Sequence, residues 1–161
     1  MKSLEFAIQM ERDGEKYYLA QAELYRDTDL ETVFRMLAKD ENDHARILVR
    51  YRDQMEYVLE EGQAYTAFQN VFQNLHQFDL EEKHVPEPLD VYEHALKMEE
   101  ASVDLYKEML AEAGSDRERQ LFQFLIEQES LHRRVFAEIV EHIRRAKQWV
   151  ESAEFGRREE Y

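Results

Sequence analysis

The chain has 161 residues, of which 36 are acidic and 21 basic, and its formal net charge is −15. This length is enough for one domain with a substantial core, while the negative charge disfavours nucleic acid and anionic membranes as partners. Cysteine is absent, which excludes disulfide bonds, thiolate metal sites and rubredoxin-type iron centres from these residues and leaves nitrogen and oxygen ligands for any metal.

The N-terminal segment carries acidic residues early. Glu5, Glu11 and Asp13 lie where an export signal would need an apolar run, and no stretch of about 20 apolar residues occurs that could span a membrane. We therefore expect a cytoplasmic protein without a membrane partner.

Four segments carry apolar residues at alternating steps of three and four, a pattern typical of amphipathic helices. It predicts helices from about Ser3 to Arg26, Thr28 to Glu61, Asp90 to Ala113 and Ser115 to Val150. Capping-box spacing, in which two side chains satisfy free backbone donors, supports three of the starts. The pairs are Thr28 with Glu31, Asp90 with Glu93 and Ser115 with Glu118.

The connections between these helices predict two hairpins and a crossover. Helices one and two are nearly contiguous, as are helices three and four, so each pair should form an antiparallel hairpin. The segment from Gly62 to Leu89 is too long for a turn, and its apolar residues predict a short covering helix. These residues are Tyr65, Phe68, Val71, Phe72 and Leu75.

The C-terminal tail from Glu151 to Tyr161 is charged and has no apolar stripe. We expect this tail to fray. The predicted domain therefore covers residues 1–152, and residues 153–161 form a charged tail.

Six ligand-type side chains lie on the predicted apolar stripes in two matching sets, the second 88 residues after the first. Each set has a lone glutamate on the first helix of a hairpin and a Glu-x-x-His pair on the second helix. The sets are Glu11, Glu41 and His44, then Glu99, Glu129 and His132. Residues three apart share a helix face, and buried charges need partners, so the pattern predicts a duplicated metal site.

The type of metal follows from the ligands. Two cations would offset four buried carboxylates that are otherwise costly. Mixed imidazole and carboxylate ligation suits iron or manganese, with zinc as a further candidate. Two iron ions are the favoured cofactor.

The residues around these ligands resemble those of the ferritin-like di-iron carboxylate proteins, and more narrowly those of rubrerythrin-type proteins. The first and third helices are similar through AIQMERDGEKYY and ALKMEEASVDLY, the second and fourth through LAKDENDH and LIEQESLH. The resemblance implies an all-α, ferritin-like four-helix bundle of two helical hairpins joined by a long crossover. We also expect a homodimer, because two related hairpins can pair between chains and the long crossover would permit helix exchange.

The resemblance also implies a role for each ligand. Carried over by position, the terminal ligands are Glu11 and Glu99, the bridging ligands Glu41 and Glu129, and the histidine ligands His44 and His132. Tyr18 and Tyr106, also 88 residues apart, look like the catalytic-site tyrosines of the family that hydrogen-bond ligand carboxylates. Plain packing is the alternative for both tyrosines, and Met10 and Met98 are predicted to pack between helices.

Three departures limit the resemblance. Ser102 stands where peroxidase rubrerythrins usually carry another ligand glutamate, which leaves peroxide specificity open. Asn42 replaces the haem-binding methionine of bacterioferritins, and no fifth helix is predicted after Val150, which disfavours a haem-containing storage cage. Without a rubredoxin domain, an electron donor would have to be a separate protein.

These features favour an oxidoreductase that uses two iron ions to reduce hydrogen peroxide or dioxygen. One alternative is ferritin-like iron oxidation and sequestration, or metal binding without turnover. Another is an interaction domain in which the six residues form only a Glu-His hydrogen-bond network. The sequence leaves open whether the protein is an enzyme.

Overall fold

The computed structural model describes residues 4–74 and 88–158, and this part of the chain contains helices and no strand. The helices are α1 (Leu4–Leu24), α2 (Asp29–Arg52), α3 (Ala64–Asn74), α4 (Pro88–Ala111) and α5 (Asp116–Arg158). None of them, within these ranges, combines the length and apolar character that crossing a membrane requires.

The helices pack as the sequence predicts. α1 lies along α2 and α4 lies along α5, so each half is a helical hairpin, while α3 contacts both α2 and α5. The expected all-α bundle of two hairpins is confirmed, and so is a short helix in the crossover. Leu75, the last apolar residue predicted for that helix, lies outside the described residues.

Helix α2 ends earlier than predicted. It stops at Arg52 rather than near Glu61, because the amides of Gln54 and Met55 donate back to carbonyls of the last turn. This arrangement needs a left-handed residue, and Gln54 adopts it with φ 58°. The prediction was wrong here because the turn has no glycine to mark it. Val58, which continues the apolar spacing, is 70% exposed.

The predicted capping boxes form only in part. The Ser115 hydroxyl oxygen accepts a hydrogen bond from the Glu118 amide at 3.1 Å, as expected. The Thr28 hydroxyl instead donates to a backbone carbonyl of the preceding turn, and no side-chain cap forms. α4 begins at Pro88, whose fixed φ and missing N–H suit the first helical position. Asp90 therefore lies inside the first turn rather than at the cap.

Helix α5 continues past its predicted end at Val150 to Arg158, so the expected fraying from Glu151 is wrong for residues 151–158. No proline interrupts this stretch, so each residue in it has the backbone N–H that a helix requires. Residues 159–161 lie outside the described part, and the domain boundary at residue 152 stays a prediction.

In the part of the chain that the structure describes, the core includes two hydrophobic clusters. The first, which joins α1, α2, α3, α4 and α5, includes Tyr18, Phe34, Leu37, Phe68, Tyr92, Phe136 and Ile139. The second includes Ala7, Leu48, Leu105, Tyr106, Leu121, Phe122 and Leu125. The polar side chains of the candidate site lie between these clusters, because Tyr18 from one and Tyr106 from the other both donate hydrogen bonds to its carboxylates.

Candidate metal centre

All six predicted ligand residues come together in the interior of the bundle. α1 supplies one carboxylate and α4 another, while α2 and α5 each supply a glutamate and a histidine one helical turn apart. Their exposed fractions are 0% for Glu11, 4% for Glu41, 2% for His44, 2% for Glu99, 0% for Glu129 and 1% for His132. A buried set of this kind needs compensation for its charge.

The six residues form two overlapping groups of potential metal ligands. In each group, one ligand atom from every residue lies within 4.8 Å of the others. The groups are Glu11, Glu41, His44 and Glu129, and Glu41, Glu99, Glu129 and His132. Because Glu41 and Glu129 belong to both groups, the arrangement suits two ions that share two carboxylates. The ligand role of each individual residue stays a prediction.

The two histidines face the centre with the same ring nitrogen. His44 Nδ1 lies 2.9 Å from Glu129 Oε1, and His132 Nδ1 lies 3.1 Å from Glu41 Oε1. Each imidazole therefore contacts the shared glutamate of the opposite hairpin. The two rings stack with centroids 5.7 Å apart and planes 22° apart. Nδ1 is consequently the nitrogen that would bind a metal.

Several carboxylate oxygens in the cluster have no hydrogen-bond partner. Among the described residues, Glu11 Oε2, Glu99 Oε2 and Glu129 Oε2 are buried without a hydrogen bond, although Nδ1 of His44 lies 3.6 Å from Glu11 Oε2 and Nδ1 of His132 lies 3.4 Å from Glu129 Oε2. Such atoms are rare because desolvation without a partner is costly. A cation would satisfy them, and oxygen and imidazole donors suit iron, manganese or zinc. The residues therefore fit a metal centre.

Protonation balances part of the charge when metal is absent. Burial and the charges of Glu11 and Glu99 raise the pKa of Glu129 to about 8. Burial and neighbouring carboxylates hold the pKa of Glu41 well above its usual range. Burial opposes the charged form of His44, but the Glu11 charge prevails and raises the pKa of His44 to about 10. Metal ions would displace these protons.

The predicted tyrosines contact the site across the two hairpins. The Tyr18 hydroxyl donates to Glu99, and the Tyr106 hydroxyl donates to Glu11. Burial, followed by the charge of the adjacent glutamate, keeps the pKa of each tyrosine well above 10. Both hydroxyls therefore retain their protons at neutral pH. The catalytic role of these tyrosines stays a prediction.

Asp40 belongs to the site but was missed by the sequence analysis. Its side chain is 2% exposed, and Oδ2 lies 3.0 Å from Nε2 of His132. The same carboxylate accepts hydrogen bonds from the backbone amides of Gln63 and Ala64 at the start of α3, at 3.3 and 3.2 Å. A carboxylate on the second nitrogen of a metal-binding imidazole fixes the tautomer and the ring orientation.

Gly62 makes room for this carboxylate. A Cβ atom at residue 62 would lie 2.3 Å from Asp40 Oδ2, so any side chain would displace Asp40. The Gly62 amide donates to Gln128 at 2.8 Å. Gly62, the first residue of the predicted crossover, allows the segment after α2 to pack closely against Asp40. Proximity to the Glu-x-x-His motif was the only sequence signal for Asp40.

Comparison with known proteins gives one match. The family model described as Rubrerythrin matches residues 2–140. Neither the curated proteins nor the solved structures compared with the chain contain a match. The matched range includes all six residues of the cluster.

Proposed function

The chain belongs to the rubrerythrin family, and on that premise we propose that it is a di-iron oxidoreductase that reduces hydrogen peroxide or dioxygen. The observation that carries this proposal is the pair of buried ligand groups that share Glu41 and Glu129. Shared carboxylates suit the bridging of two ions that act on one substrate.

Each residue of the cluster has a defined part in holding the ions. Glu11 and His44 would hold one ion, Glu99 and His132 the other, and the shared glutamates would bridge them. When bound, the iron pair would supply the two electrons that reduction of a peroxide consumes. The protein supplies the ligand residues, which are at most 4% exposed.

The tyrosines hold protons beside the site. Reduction of peroxide to water consumes protons as well as electrons, and Tyr18 and Tyr106 each carry a proton on Oη against a terminal glutamate. Because burial keeps both hydroxyls neutral, they can order Glu99 and Glu11 through hydrogen bonds. We assign them this positioning and proton-holding role.

The electrons that return the centre to its reduced state must come from elsewhere. The 161 residues contain no cysteine and therefore no rubredoxin-type centre. We propose that a separate electron-donor protein performs this reduction.

Stopped-flow absorption tests the proposed activity. The protein is loaded anaerobically with ferrous iron and mixed with hydrogen peroxide or with dioxygen. We expect oxidation faster than that of free ferrous iron under the same conditions, and the same fast rate in the exposed control variant Glu108→Ala. Oxidation no faster than free iron would contradict the proposal. Binding of many irons per chain in a large assembly would favour iron sequestration instead.

A further inference from the structure

A cavity of about 320 Å³ lies between α1 and α4, next to the metal centre. Its lining includes Phe6, which is 49% exposed, and the buried carboxylates Glu41 and Glu99. The cavity therefore runs from the protein surface to the cluster. Tyr18, which donates to Glu99, also lines it.

Small side chains at the interface of α1 and α4 create this space. Gly14 and Ser102 line the cavity, occupy equivalent positions of the repeat 88 residues apart, and are joined by Ala101. A Cβ atom at residue 14 would already lie 3.3 Å from Glu41 Oε2. The Ser102 hydroxyl donates to the Met98 carbonyl at 3.1 Å, so its polar group is satisfied within its own helix.

The remaining walls are mainly apolar. Met10 and Met98, another pair 88 residues apart, line the cavity together with Leu105. Methionine side chains adapt to irregular apolar ligands because they are flexible and polarisable. These two methionines were predicted to pack between helices, and here they form the walls of a space between helices.

The cavity is much larger than hydrogen peroxide requires. Water occupies roughly 30 Å³ in the liquid, so the cavity would hold on the order of ten waters. Its volume falls in the range of about 300 to 1,000 Å³ that is typical of small-molecule sites. A substrate with two heavy atoms would leave most of the apolar wall in contact with water, which costs free energy.

The charges of the lining narrow the class of ligand. Its charged residues are Asp13, Glu41 and Glu99, and the described lining contains no lysine or arginine. An anionic ligand would face Asp13 near the exposed side without a compensating cation. The ligand should therefore be neutral, with an apolar body against the methionines and a polar group toward the carboxylates.

We propose that the cavity binds neutral organic hydroperoxides and that these are better substrates than hydrogen peroxide. This inference rests on the proposed di-iron function. Reduction breaks the O–O bond of the hydroperoxide and consumes two electrons and two protons, and a bound ferrous pair would supply the electrons. The products are one alcohol and one water. The cavity residues hold the organic group, while the reducible bond lies near Glu41 and Glu99.

Binding is tested without turnover. The diferric protein is titrated with 2-phenyl-2-propanol, the alcohol formed from cumene hydroperoxide, and binding is followed by calorimetry and by the rise in Tm. We expect saturable binding that Ser102→Leu weakens at least tenfold, because the larger side chain fills the cavity. Ala111→Leu adds the same bulk at an exposed position of α4 and should bind like the wild type.

Oxidation rates then test whether the protein prefers the organic hydroperoxide to hydrogen peroxide. The diferrous protein is mixed with cumene hydroperoxide or hydrogen peroxide, and we expect the organic substrate to react at least tenfold faster. Ser102→Leu should lower this ratio at least tenfold, whereas Ala111→Leu should not. If Ser102→Leu does not fold, Ala101→Leu fills the same cavity from its more exposed side.

The possible failures are distinguishable. If neither peroxide oxidises the centre faster than free ferrous iron is oxidised, the proposed function fails. The titration with 2-phenyl-2-propanol then still shows whether the cavity binds an organic ligand. If hydrogen peroxide reacts rapidly but cumene hydroperoxide does not, the substrate inference is overturned while the function stands. Absence of alcohol binding, or an unchanged rate ratio in both cavity-filling variants, would also overturn the inference.

Discussion

The two halves of the metal cluster contain the same ligands at the same spacing, but their surroundings differ. His132 has Asp40 at 3.0 Å from Nε2. His44 forms its described ion pairs through Nδ1, and its ring packs edge-on against Phe124 at 6.4 Å. The residue 88 positions after Asp40 is Gln128, whose side-chain oxygen accepts a hydrogen bond from the Gly62 amide. The ligands and the two tyrosines follow the repeat, whereas Asp40, which contacts His132, does not.

The crossover explains this difference. Two repeats need only one connection, so the connection has no counterpart in the second half of the chain. The backbone amides of Gln63 and Ala64, in the crossover, donate hydrogen bonds to Asp40, which holds His132. The start of α3 is therefore coupled to one metal position more closely than to the other. We expect the two positions to differ in affinity for this reason.

Removal of the shared ligands should eliminate both positions. We expect Glu41→Ala combined with Glu129→Ala to reduce bound iron from near two per chain to near zero, because each residue belongs to both ligand groups. Mass spectrometry of anaerobically loaded, desalted protein measures the iron. Glu11→Ala alone should remove one ion, since Glu11 belongs to one group. Two irons retained in the double variant would refute the ligand assignment.

Asp40→Asn should affect the two positions unequally. The variant keeps the shape of the side chain but loses the charge that holds His132, and we expect one binding step to weaken by about 10- to 100-fold. Stepwise calorimetric titration with a divalent metal separates the steps. Asp43→Asn removes the same charge from an ion pair with Lys39 on the same helix and should leave both unchanged.

A general loss of structure would look different. If Asp40 served only to anchor α3, Asp40→Asn would weaken both binding steps equally and lower the Tm of the metal-free protein. A selective loss at one step, with the Tm of the metal-free protein little changed, distinguishes a positioning residue from a structural one.

The thermal stability of the metal-free protein should depend on pH differently from that of the metal-loaded protein. In metal-free protein, the pKa of Glu129 is raised to about 8 and that of His44 to about 10. The proton on Glu129 stabilises the fold fully below an unfolded pKa of about 4.3, and that on His44 fully below about 6.5. These contributions are lost as pH rises through about 8 and about 10, respectively.

Bound metal removes the part of this pH dependence that comes from the protons on Glu129 and His44, because residues that bind a metal have already lost those protons. The Tm difference between loaded and metal-free protein should therefore widen as pH rises from about 5 to about 8. Calorimetry with and without chelator measures it. A difference that narrows over this range would show that the cluster does not exchange protons for metal.

The sequence was sufficient to identify the six candidate ligands and the two tyrosines, but not Asp40. Apolar spacing and the 88-residue repeat placed Glu11 and Glu99 opposite the two Glu-x-x-His pairs, because helix faces follow from periodicity. Asp40 escaped because its counterpart is Gln128, so the repeat gives no signal. Its contact with Gln63 depends on the path of the crossover, which no local pattern specifies.

The end of α2 illustrates the same limit. Gln54 adopts a left-handed conformation that usually selects glycine or asparagine, so the sequence indicated no stop. Only tertiary packing directs the chain toward Gly62, where the absence of a side chain lets it approach Asp40. Features shared by both halves were predictable, and so was the short helix of the crossover, while the path of the chain from α2 to Asp40 was not.

The tyrosines should show where the two halves remain equivalent. Tyr18→Phe and Tyr106→Phe each remove one hydroxyl donor from a buried glutamate, at Glu99 and Glu11 respectively. Loss of such a bond to a charged group costs about 1 to 3 kcal/mol. Within residues 4–74 and 88–158, the hydroxyls of both tyrosines donate to glutamates and not to the crossover, so the two costs should agree within about 0.5 kcal/mol.

Urea unfolding of the metal-free single variants measures these costs, with the half-buried Tyr65→Phe as a control that should change the free energy of unfolding by less than about 0.5 kcal/mol. If the two variants lose the same free energy of unfolding, the difference between the two halves of the centre lies at Asp40 and the crossover. A cost for Tyr18 that exceeds that for Tyr106 by more than about 1 kcal/mol would instead extend the asymmetry to Glu99 and Glu11, because Tyr18, unlike Tyr106, belongs to the cluster that includes α3.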